Sequence, residues 1–152
     1  MKGPIARKEK MILVVIFNTI LIFGAYALLV YFKYVAANPE ILNDFKFWGK
    51  AFLMLIPVTI VAQIIIYIIF AIINKIVTDE EISSLTDERD KMIELKAIRI
   101  SHWMFTFGFI LAMASQAVGM QPWVMFITFI SSGFISAIVA ELSKLYYYRR
   151  GF

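Results

Sequence analysis

Long apolar runs, each holding only a few polar side chains, alternate with polar connections along this chain. Four of them, Met11 to Phe32, Ala51 to Ile73, Ser101 to Met120 and Trp123 to Leu142, each approach or exceed the roughly 20 helical residues that cross a hydrocarbon core. Lipid offers a backbone no hydrogen-bond partner, so such runs are expected to be helices. None shows the period-two alternation of a barrel strand. The pattern predicts an all-α integral membrane protein, one domain over residues 1–152, with a polar connection at 74–100. The first run is longer than the core of a secretory signal, and it reads as an uncleaved anchor even though Val35 to Ala37 resembles a cleavage site.

Composition points the same way. The chain is 61% hydrophobic and 17% charged, where soluble domains have roughly half and a quarter. That leaves too little polar surface to coat a water-soluble globule. With no cysteine there is no disulfide, thiolate metal site or cysteine nucleophile. The net charge of +4 sits beside the apolar runs, where orientation in a bilayer explains it, so direct nucleic-acid binding is not expected.

The basic residues set an orientation. Lys2, Arg7, Lys8 and Lys10 precede the first run; Lys75, Arg89, Lys91, Lys96 and Arg99 fill the central connection; Lys144, Arg149 and Arg150 follow the last. Four crossings put those regions on one side, and they hold twelve of the fifteen basic residues. The positive-inside rule then predicts both termini in the cytosol of a cell whose inner, plasma membrane holds the protein. Trp48 and Trp123 mark the outer boundary, with Trp103 and Tyr146 to Tyr148 at the inner one. Between the first two runs, Asn38 and Pro39 read as the start of a short amphipathic helix on the outer leaflet, with Ile41, Leu42, Phe45 and Trp48 at helical spacing.

Polar groups inside a span are expensive and so are candidates for function. Asn18, Gln63 and Gln116 are the amides among them, and none ionises. They serve either as interhelical hydrogen bonds or as part of a substrate path. Ser132, Ser136 and Ala140 recur every fourth residue beside Gly133 and Ala137, as Gly108 and Ala112 do in the third run. Such spacing lets helix backbones approach, so these two faces are expected to pack together or across a homodimer seam. Pro57 removes a backbone hydrogen bond in the second run. His102 and Glu141 fall near the inner interface, where they either meet or act separately as anchors, with Lys144 an alternative partner for Glu141.

The central connection concentrates charge. Thr78 and Glu81 form a capping-box pattern for a short helix, and Thr86 is placed to cap a second that runs into the third span. Glu80, Glu81, Asp87, Glu88, Arg89 and Asp90 read as an acidic knob suited to a basic cytosolic partner, or else as a solvated turn of self-paired charges. The following Lys91, Lys96 and Arg99 suit anionic headgroups at the interface. The segment offers no Gly-rich phosphate loop and no HExxH, and the single His serves no convincing triad. No catalytic, metal or cofactor residue is assigned, and the expectation is a non-enzyme.

"TDERDKMIELKAIRIS", Thr86 to Ser101, together with two runs before it, two after it and the closing "LYYYRRG", resembles a family of small bacterial and archaeal four-span proteins known as domain of unknown function 2178. The resemblance implies the four-helix architecture and supplies no reaction, cofactor or catalytic residue. It implies in addition a helix-turn-helix regulator as one form of basic partner. The leading expectation is an accessory or regulatory membrane protein that docks a partner through the acidic connection. The alternative is a small dimeric transporter or channel. Small multidrug exporters are alike in length and span count, but they need a Glu in the first span, where this chain has Asn18. A membrane-interface enzyme is a third possibility.

Overall fold

The computed structural model describes residues 4–78 and 87–150 and is all-helical over them. Helix α1 spans Pro4–Val30 and widens into one π-type stretch, Tyr31–Val35, where Ala36 N–H donates to Tyr31 O at 2.8 Å. A five-residue 3-10 turn follows at Pro39–Asn43, capped by the Asn38 side chain, which accepts the Glu40 N–H at 3.3 Å. This is the expected amphipathic element in a shorter form. Asp44 is extended (φ −89°, ψ 112°), so Phe45 and Trp48 belong to the next helix.

Helix α2 runs Phe45–Thr78, 34 residues with Pro57 inside it. Thr78 is the last residue of this helix; Glu80, Glu81 and Thr86, on which the expected capping box and second cap depend, lie outside the described residues. Helix α3 spans Glu88–Ala117 as one unbroken helix. Its N-cap is Asp87, not Thr86: Asp87 is extended and forms a capping box with Asp90, donating its N–H to Asp90 Oδ2 at 3.3 Å. At the other end Gly119 takes φ 79°, a left-handed conformation that suits a residue without Cβ. Its N–H bonds Gln116 O and the Met120 N–H bonds Ser115 O, each at 3.0 Å, which closes a Schellman motif. The helix therefore ends before Met120. Helix α4 spans Pro122–Arg150 and opens on a proline, which lacks the N–H that a first turn leaves unpaired.

In space the helices stand in the order α2, α1, α4, α3. The closest approach joins α3 to α4, because small residues face each other there: a Cβ built on Gly108 would overlap Ser132 Cβ. Ala112 and Ser115 on α3, with Ser136 on α4, are buried along the same seam. The first turns of α2 reach α4 through aromatic rings, Trp48 stacking on Phe126 at 5.3 Å and Phe52 lying 5.9 Å from Phe129.

Most large apolar side chains point outward, Leu53, Phe17 and Ile76 among them. All four helices are long and apolar enough to cross a membrane.

Candidate functional site

Both described termini and the start of α3 gather at one end of the bundle, the charged end; the turns at 31–44 and 118–121 form the opposite end. Asp90 organises the charged end. Its side chain is only 12% exposed and accepts from Lys8 Nζ on α1 and from the Tyr148 hydroxyl on α4, the latter at 2.8 Å. The Lys8 ammonium also stands 5.7 Å from the Tyr148 ring centre. Arg149 binds Glu9 at 3.4 Å, and Lys96 Nζ lies 5.2 Å from the Tyr147 ring. Three helices are thereby tied together by side chains, none of which is close to its partner in sequence.

Asp90 precedes the apolar part of α3, which begins near Ile100. Burial by itself would raise its pKa, but the Lys8 and Tyr148 donors and the Lys8 charge outweigh that and hold the carboxyl below its usual value. Tyr148 shifts upward, chiefly through burial and then through its bond to the Asp90 carboxylate.

The other residues of the acidic segment are placed differently. Asp87 and Glu88 are exposed at the α3 start, where acids suit the helix dipole. Arg89 is half-buried, and its Nε has no hydrogen-bond partner among the described residues. A cavity of about 250 Å³ lies behind the segment, with Lys8, Asp90, Glu94, Glu141 and Tyr148 in its wall. Glu141 takes Lys144 at 2.7 Å, while His102 stays exposed, and no bond joins His102 to Glu141. Among the described residues no group of three or more His, Asp or Glu side chains is placed to hold a metal ion.

The intramembrane amides separate by role. Gln63 Nε2 donates to Thr19 Oγ1 at 3.1 Å, and Thr19 passes its own hydrogen to Val15 O, which joins α2 to α1. Asn18 is 6% exposed, with Nδ2 buried and without a partner among the described residues. Gln116 lies in the last turn of α3 and bonds Ser115 Oγ and Gln121 O. Of the small residues singled out by spacing, Gly108, Ala112, Ser132 and Ser136 are buried, Gly133 is half-buried with only Phe105 near it, and Ala137 is exposed.

Two further cavities occupy the bundle. One of about 350 Å³ at the opposite end has Tyr26, Leu42, Trp48, Ala51 and Trp123 in its wall. The other, about 410 Å³, lies deeper and reaches Thr19, Thr59 and Gln63. Phe23, Leu55 and Ile130 line both.

Sequence reasoning did not foresee the roles of Lys8 and Tyr148. Lys8 counted as one basic residue among those before α1, and Tyr148 as one interfacial aromatic among three. Nothing in either neighbourhood points to Asp90, so the sequence carried no signal for the pairing. Comparison with protein-family models, with curated proteins and with solved structures finds no match to this chain.

Proposed function

We propose that this is a four-span protein of the plasma membrane with its charged end in the cytosol, and that it acts as a non-enzymatic accessory or regulatory subunit. A cytosolic protein with a basic surface docks on the segment that opens α3, meeting Asp87 and Glu88 together with Glu80 and Glu81. A helix-turn-helix regulator held at the membrane is one such partner. The observation that carries this reading is the engagement of Asp90 by Lys8 and Tyr148. That engagement anchors the first turn of α3 to two other helices and leaves Asp87 and Glu88 exposed on a held surface. Acids presented on an ordered turn lose less entropy on binding than acids on a free loop. The placement rests on four helices of spanning length and apolarity and on the basic residues beside them.

The test is crosslinking in native membranes from a photoreactive group at the exposed position 91, one turn along α3, with and without Asp87→Lys and Glu88→Lys. Asp90 is left intact because its loss would disturb the helix ties. A basic cytosolic protein is captured by the parent and lost from the charge-reversed variant. Equal capture by both would refute the docking role. Orientation has its own check, since the chain lacks cysteine: Glu88→Cys is labelled from the cytosolic side only.

The deeper cavity favours a second reading, transport, because Gln63, Thr59 and Thr19 place polar groups inside the bundle. Flux in proteoliposomes that disappears with Gln63→Leu would put transport ahead of docking.

A further inference from the structure

The cavity at the opposite end has a predominantly apolar wall. Its wall comes from α1, α2, α4 and the intervening turns, and α3 contributes nothing to it. At about 350 Å³ it is within the size range of small-molecule sites. Its side chains are nearly all aliphatic or aromatic. Two of its polar liners direct their hydrogens at backbone: the Tyr26 hydroxyl donates to Ala51 O at 2.7 Å and Trp48 Nε1 to Leu42 O at 2.8 Å. Neither hydrogen is left to recognise a polar guest. Tyr31, Trp123 and Ser131 add the remaining polar side-chain atoms, and so apolar a wall offers water few partners.

The chain beside the wall has a different chemistry. Lys33, Lys46 and Lys50 are exposed and lie outside the wall itself, each within two residues of a wall residue in sequence: Tyr31 and Val35 flank Lys33, Phe47 follows Lys46, and Ala51 follows Lys50. Lys33 Nζ stands 5.4 Å from the Tyr34 ring centre. They outnumber the acids of the same segment, Glu40 and Asp44. From Phe47 to Leu55 the α2 rise is about 12 Å, close to the roughly 15 Å of half a hydrocarbon core. The deeper cavity extends the same path, because Phe23, Leu55 and Ile130 belong to both.

From these features we infer that the chamber holds one acyl chain of an anionic phospholipid of the outer leaflet, with its phosphate against Lys33, Lys46 and Lys50. The inference rests on the membrane placement proposed above. An anionic headgroup is selected by charge, and the chain by the predominantly apolar wall. The bound lipid wedges α2 and α1 against α4 at the end where aromatic rings, and not small residues, make the contact.

The protein's own tryptophans test this. Trp48 lines the chamber and is only 6% exposed, so bulk lipid does not reach it, whereas Trp123 is half-buried. Trp103 lies on the outside of α3 at 66% exposure. The full chain carrying Trp103→Phe and Trp123→Phe is reconstituted in vesicles doped with phosphatidylglycerol or phosphatidylcholine brominated along one chain. Quenching of Trp48 is expected at about fivefold lower doping with phosphatidylglycerol, the factor that one interfacial lysine contributes. Lys33→Gln, Lys46→Gln and Lys50→Gln together should erase that preference. Ala27→Phe with Ala51→Phe, which fills the chamber, should abolish the quenching. Equal quenching by the two lipids, or quenching that survives in the filled variant, overturns the inference. Should the filled variant fail to fold, the lysine variant still decides.

Trp103 keeps the two readings apart. In the variant Trp48→Phe, Trp123→Phe it is quenched by either lipid if α3 spans the bilayer. Quenched Trp103 without a lipid preference at Trp48 defeats the chamber alone. Unquenched Trp103 defeats the membrane placement.

Discussion

The Tyr148 hydroxyl donates to Asp90 Oδ1 at 2.8 Å, joining the last turns of α4 to the first turn of α3 across 58 positions of sequence. Lys8 reaches the other oxygen of the same carboxylate from α1. One acid therefore satisfies its own helix start and two neighbouring helices at once. The bundle has a polar joint at its charged end and a small-residue seam further along.

Removing one bond of that joint has a measurable cost. Tyr148→Phe keeps the ring beside Lys8 and deletes the hydroxyl, so unfolding in mild detergent should be easier by about 1.5–3 kcal/mol, as for a hydrogen bond to a charged group. Glu94→Gln, at an exposed position of the same helix, should change stability by less than about 0.5 kcal/mol. Equal losses in the two variants would refute the joint.

The same joint makes stability depend on acid. The folded-state pKa of Asp90 lies below the usual 3.8, so the unfolded chain binds this proton more readily. The contribution is then fully present above about pH 4 and is lost as pH falls through the lower, folded-state value. Thermal unfolding of Asp90→Asn should show a shallower acid limb than the parent, with the gap between the two narrowing as pH drops. Parallel limbs would mean that Asp90 is not the group responsible.

Gly108 tests the seam. An added methyl overlaps Ser132, so Gly108→Ala must push α3 away from α4, at about 1–3 kcal/mol for overpacking. Ser132→Gly in the same chain removes the Cβ and hydroxyl in the way and should restore part of the loss. A double-mutant cycle without coupling would place the two residues apart.

Asn18 gives the opposite sign. Its Nδ2 is buried without a partner among the described residues, and an unmet donor costs about 1–3 kcal/mol. Asn18→Leu should hold or raise the unfolding temperature. If the amide instead serves a transported ligand, stability is retained while flux is lost.

Several features were readable from the chain alone. Four helices follow from four apolar runs, because backbone bonding in a helix is made within four residues and apolarity adds up residue by residue. Asn38 marks a helix start through local geometry of the same kind, whereas the third run, taken to Met120, passes over the end of α3 at Gly119. The start of α3 was legible to within one residue: Thr86 and Asp87 are both capping types, and the box closes from Asp87 because Asp90 stands three positions later. The spacing of Gly108, Ala112, Ser132 and Ser136 marked narrow faces but did not say which helix each would meet.

Tertiary structure alone decided the rest. Asp90 reads in sequence as one of several acids in a charged segment, yet it turns inward while Asp87 and Glu88 stay exposed. Its partner Lys8 is 82 positions away, and a pattern of charge along a chain does not encode a pairing at that range. The order α2, α1, α4, α3 and the two cavities that share Phe23, Leu55 and Ile130 depend on how whole faces fit together. Helix formation is a local, nearly additive property, so the sequence determines it. Which side of each helix meets which neighbour is settled by the shapes of surfaces that exist only after the helices have formed and packed.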